Sequence, residues 1–197
     1  MSSLPTLTKI PNFRSTNFLR EHISSILSFY YPQCIDNKNG GYFQHFDHQG
    51  EVCTDNNPRH LVSSSRLTIN FAVAAKLFAN DDYLKAAIHG VNYLKSHHFN
   101  KQTGGYAWLV ENTETHNDNQ SKKIIDADNY CYGIAFVLMA FARTYQAGAS
   151  EVYADIAETF NLMEKYFWQE QDQLYVDVID EKFENISSYR GQNANMH

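Results

Sequence analysis

Arg66, Tyr130 and His197 are the side chains whose types and spacing could act together on one small molecule. Each follows a tyrosine of a recurring turn. Tyr42 precedes Arg66 by 24 residues, Tyr106 precedes Tyr130 by 24, and Tyr175 precedes His197 by 22. A guanidinium, a phenol and an imidazole offer hydrogen-bond donors, together with one group that titrates near neutral pH. If the repeats are equal, these counts place the three near the N-terminal ends of successive inner helices, facing one mouth, with Tyr132 competing with Tyr130 for the phenol's role. Helix N-termini add unpaired backbone N–H groups and a positive dipole end, suited to hydroxyl oxygens and to a developing oxyanion.

The elements that must hold these residues follow from the repeat. Gly40-Gly41-Tyr42-Phe43 recurs as Gly104-Gly105-Tyr106-Ala107-Trp108, and more weakly as Leu174-Tyr175-Val176-Asp177. The tyrosines are 64 and 69 residues apart. A long fixed period marks an array of equal units, each burying its apolar face against its neighbours. Between the turns the apolar spacing predicts helices over about 17–30, 60–79, 82–97, 127–146 and 151–167. The second and fourth are apolar on nearly every face and read as interior helices. The first, third and fifth carry one stripe each: Leu19, Ile23, Ile26 and Tyr30; Leu84, Ala87, Ile88, Val91 and Leu94; Tyr153, Ile156, Ala157, Phe160, Met163 and Phe167. Residues 42–46 read as a short strand turned by Asp47–Gly50, and residues 112–123 as a polar loop. The adjacent His97 and His98 at a helix end read as partners of the helix dipole rather than as a metal site.

Inner helices that alternate with surface helices, with a short β-hairpin after every surface helix, describe an all-α (α/α)6 toroid. Six pairs of about 65 residues need roughly 390 residues. The 197 residues present are therefore expected to form one domain, 1–197, equal to the N-terminal half of such a barrel and truncated at its C-terminus. The half ring is expected to expose apolar edges and to be poorly stable alone.

Composition narrows the partners. A net charge of -6 and a pI near 5.8 argue against nucleic acid and anionic membranes. The longest apolar run, 132–142, is too short to span a bilayer. Three cysteines without a CxxC spacing fit free thiols in a reducing compartment, and the N-terminus lacks an apolar secretory core, so a cytoplasmic protein is expected.

Tyr189-Arg190-Gly191-Gln192-Asn193-Ala194-Asn195-Met196-His197 resembles a segment of the mannose and sulfoquinovose isomerases of the N-acylglucosamine 2-epimerase superfamily. Glu164-Lys165-Tyr166-Phe167-Trp168 and the residues around Ser65-Arg66 are similar to that family too. The resemblance implies an (α/α)6 barrel and an intramolecular oxidoreductase that interconverts an aldose and a ketose of the mannose/fructose type. A sugar 2-epimerase is the alternative, and a non-catalytic helical-repeat protein a further one. It implies that Arg66, Tyr130 and Asn193 bind substrate, that His197 aids ring opening or binding, and that the two main acid/base histidines lie in a second half. The partner would be a monosaccharide, the full-length protein could form a homo-oligomer, and neither a cofactor nor a metal is called for. Moving a proton between C1 and C2 through an enediol needs a base and an acid near neutral pKa, and donors for the enediolate oxygen. Paired carboxylates of a glycosidase are the weaker reading, resting on Asp126 and Asp128.

Overall fold

The structure is a computed structural model and describes residues 11–53, 58–113 and 122–196. Five helices dominate: α1 (Thr16–Tyr30), α2 (Leu61–Phe78), α3 (Asp81–Tyr93), α4 (Cys131–Gln146) and α5 (Tyr153–Tyr166). A short α6 (Gln192–Met196) follows. Helices α2 and α4 pack side by side, with α3 on α2 and α5 on α4. That is the inner-outer alternation expected from the sequence.

The inner helices owe their position to small and apolar residues. Ser64, Ser65, Thr68, Ala72, Ala74 and Ala75 of α2 and Gly133, Ala135 and Ala140 of α4 are buried, so helices can approach on more than one side. A Cβ at Gly133 would press on Leu61 and Trp108. Ile134, Val137 and Phe141 fill the space between α4 and its neighbours.

The outer helices α1 and α5 bury less than their stripes suggested, whereas Ala87, Val91 and Leu94 of the third stripe are buried. In α1 only Leu27 is buried among the described residues, while Leu19, Ile23 and Ile26 remain exposed. Ile23, Ile26, Leu27 and Tyr30 instead line one wall of a 530 Å³ groove against α2. In α5 Tyr153 and Phe160 are exposed, and Thr159 and Met163 are buried. Thr159 wins the inner place because its hydroxyl meets the buried Tyr106 phenol at 3.2 Å.

The turns repeat atom for atom where the sequence repeats. Gly40 N–H donates to Asp36 O and Asp36 N–H to Gly41 O; Gly104 N–H donates to Asn100 O and Asn100 N–H to Gly105 O. The Asp36 carboxylate accepts the N–H groups of Lys38 and Asn39, and the Asn100 amide oxygen those of Gln102 and Thr103. Gly40 and Gly104 both stand at φ +82°, a conformation that disfavours other residues. In the third turn Gln173 occupies this place at φ +52°.

The strands are mostly short and pair across long loops. Strands β1 (Pro58–His60), β2 (Leu109–Asn112) and β3 (Lys122–Asp126) form an antiparallel sheet in the order β1-β2-β3. Two-residue strands follow: β4 (Asn129–Tyr130) pairs with β7 (Val178–Ile179), and β5 (Trp168–Gln169) with β6 (Leu174–Tyr175). The predicted loop 112–123 is thus bounded by paired strands, and its centre lies outside the described residues. Pairing of 129–130 also delays the start of α4 from 127 to 131.

Each inner helix is capped from the hairpin after it. The first N–H of α2, at Leu61, donates to Trp108 O at 2.9 Å. That of α4, at Cys131, donates to Asp177 O at 2.9 Å. Trp108 and Asp177 both stand two residues beyond a hairpin tyrosine.

A candidate sugar site at the mouth of the inner helices

The hairpin residues that cap one inner helix also fix the entry to the next. The Gln44 amide oxygen accepts His60 N–H at 2.9 Å, while its nitrogen donates to Ser64 Oγ at 2.9 Å and His60 O at 3.3 Å. The Trp108 ring stacks on Tyr130 at 4.2 Å. The Asp177 carboxylate accepts Gly191 N–H. His60, Tyr130 and Gly191 are therefore the equivalent residues, each preceding an inner helix.

Equal counts from the hairpin tyrosines do not give equal places. Arg66 is the sixth residue of α2, whereas Tyr130 is the N-cap of α4. The position in α4 that matches Arg66 is Phe136. The sheet strands β2 and β3 lengthen the second connection and shift the register between turn and helix.

Arg66 extends from α2 to α4. Its Nη2 donates to the Tyr132 hydroxyl at 2.8 Å, and its guanidinium carbon lies 4.6 Å from the centre of the buried Phe136 ring. Among the described residues no carboxylate pairs with it. Tyr130 belongs to another cluster. Its ring is sandwiched into a layer with Trp108, which His60 meets edge-on at 4.3 Å. Its hydroxyl donates to Asp126 Oδ2 at 3.3 Å, and burial together with the Asp126 charge raises its pKa. His60 Nδ1 accepts Val62 N–H at 3.2 Å, so a neutral ring carries its proton on Nε2. Burial lowers the His60 pKa, opposed by Asp126. Asp128 is raised by burial, then by Asp126, Asp180 and Glu181.

Asn193 sits exposed on α6. Its neighbours hold that segment down. Asn195 accepts Tyr175 N–H at 2.7 Å and donates to Tyr175 O at 3.0 Å, while the buried Cys131 thiol faces Ala194 O at 3.9 Å. His197 lies outside the described residues. The sequence reading missed Asn195 as a clamp, and the Gln44 bridge; the signal available was their place two residues from a hairpin tyrosine or inside the Asn-Ala-Asn string.

The histidine pair has a different role from the one its position suggested. His98 is buried, with Nδ1 at 2.8 Å from Ala107 O and Nε2 at 3.5 Å from Ser64 Oγ. His97 is buried and stacked on Tyr93 at 4.2 Å. Burial holds both pKa values down, to about 3 for His98 and about 4 for His97, so neither carries charge to the helix end. Lys122 does so, donating to Ser96 O at 3.2 Å and His97 O at 2.7 Å. Among the described residues no group of three His, Cys, Asp or Glu is placed to hold a metal, and no helix is long and apolar enough to cross a membrane.

The family is decided by residues 41–197, which match N-acylglucosamine 2-epimerase (GlcNAc 2-epimerase). The chain belongs to that family. It is 43% identical over 187 residues to the D-mannose isomerase of Marinomonas mediterranea, covering 95% of this chain and 44% of that protein. A crystal structure of a D-mannose isomerase superposes with a TM-score of 0.84 at 40% identity, covering 94% of this chain and 44% of the other. The cellobiose 2-epimerase of Dictyoglomus turgidum is 26% identical over 172 residues, covering 84% of this chain and 41% of that protein. The arc of inner and outer helices is thus part of an (α/α)6 barrel, and the chain spans less than half the length of these relatives.

Proposed function

We propose that the chain supplies part of the substrate wall of an aldose–ketose isomerase acting on mannose and fructose. The observation that carries this reading is the likeness to D-mannose isomerase, 43% against 26% for the cellobiose epimerase. Arg66 supports it. A guanidinium steadied by a phenol and an aromatic face, without a carboxylate partner among the described residues, keeps donors for sugar hydroxyls and for an enediolate oxygen. Tyr130 and Asn193 are proposed as further hydroxyl contacts. His197 is proposed as the proton carrier in this chain: counted along the sequence, it follows Gln192 by the same interval as Arg66 follows Leu61. The main acid/base histidines are assigned to the length of the relatives that this chain does not span. The 197 residues alone are therefore expected to turn over slowly.

The test is incubation of the complete gene product, and separately of residues 1–197, with D-mannose, followed by separation of the sugars. Fructose formed by the complete product supports the isomerase. Glucose without fructose makes it a 2-epimerase. Neither product overturns both readings.

A further inference from the structure

We propose that Tyr132, together with Phe136, is the positioning device for Arg66, and that the affinity of the site for a sugar depends on it. The inference rests on the reading of Arg66 as a substrate contact. Tyr132 and Phe136 are one helical turn apart on α4, so both face the same neighbour. That neighbour is α2, and the residue reaching them is Arg66. An arginine side chain has several freely rotating bonds, and fixing them opposes binding. The usual clamp is a carboxylate, which would also neutralise the charge. Here the clamp is a hydroxyl oxygen at 2.8 Å and a ring face at 4.6 Å, both uncharged. One terminal nitrogen and one face of the guanidinium are engaged, which directs the remaining edge, Nη1 and Nε, to a ligand. The charge is retained and the direction is fixed before the sugar arrives. Tyr130, by contrast, has its ring against Trp108 and its hydroxyl on Asp126, and does not orient Arg66.

The experiment is a double-mutant cycle on the complete gene product with D-mannose as the probe. Tyr132→Phe removes the acceptor and keeps the ring. It is expected to raise KM about fivefold, as loss of one hydrogen bond to a charged group would, with kcat within about twofold and the melting temperature unchanged. In an Arg66→Met background the same change is expected to add nothing, because the two act as a unit. Where Arg66→Met is too slow to assay, the cycle is read from the rise in melting temperature that D-mannose produces. An unchanged KM in Tyr132→Phe, or an additive effect in the double variant, overturns the positioning role while leaving the isomerase standing. A wild-type protein that neither binds nor converts mannose overturns the functional reading, and this inference with it.

Discussion

The first two turns of the repeat and the third carry the same tyrosine in different surroundings. Tyr42 is fully buried, with its hydroxyl donating to Ala86 O of α3 at 2.7 Å and 3.4 Å from Thr68 of α2. Tyr106 is buried and meets Thr159 of α5. Both reach forward, to helices later in the chain than themselves. Tyr175 is half-buried, and its phenol turns back to Glu164 of α5. The lesson is that the turn motif supplies a phenol, while the next outer helix decides whether that phenol becomes core. The residue that accepts the N–H after the tyrosine changes in type from turn to turn but not in burial. It is Cys34, His98 and Phe167 in turn, all buried, with Phe43, Ala107 and Val176 as donors.

The largest expected effect tests this contrast directly. Tyr42→Ala or Tyr106→Ala opens a core cavity and should lower stability by about 4 kcal/mol, against about 1 kcal/mol for Tyr175→Ala. Urea denaturation of the three variants compares them, and equal losses would erase the distinction. Gly90→Ala comes next. A Cβ there would collide with Thr68 and the Tyr42 phenol, so a loss of about 3 kcal/mol is expected, read by the same denaturation. The third effect is one of pH. Folded His97 and His98 stay neutral down to about 4 and about 3, whereas an unfolded histidine takes up a proton near 6.5. Below that pH the unfolded state binds more protons, so stability falls as the pH drops from about 6.5 toward 4, by about 2 kcal/mol for each of the two histidines between pH 7 and 5. His98→Cys puts the first turn's residue into the second and should flatten the melting temperature against pH. The smallest effect sharpens the third turn. Gln173→Gly should gain about 0.5 kcal/mol in thermal denaturation, because glycine accepts the positive φ that Gln173 now holds.

The helices and the turns were legible because their signals are local. Gly-Gly-Tyr fixes a turn within a few residues, and small apolar runs mark α2 and α4 as interior. The sheet β1-β2-β3 was not legible, because β1 joins β2 across about 50 residues, as in Pro58↔Glu111, and its strands carry no alternating pattern. That same insertion misled the count from Tyr106 to Tyr130. The candidate site was partly legible. Arg66 stood out as a charge in an apolar helix, but its contacts with Tyr132 and Phe136 arise from helix packing and have no sequence spacing of their own. The stripes of α1 and α5 overstated burial, because periodicity shows which residues share a face and not whether a neighbour covers it.

The bond from Leu61 to Trp108 runs against the direction of synthesis. On a ribosome α2 leaves the exit tunnel 47 residues before its cap does, and α4 waits in the same way for Asp177. At about 5–20 residues per second the delay is several seconds. During it, the N-terminal end of each inner helix is the part last made firm, so each helix matures only once the hairpin after it has been translated.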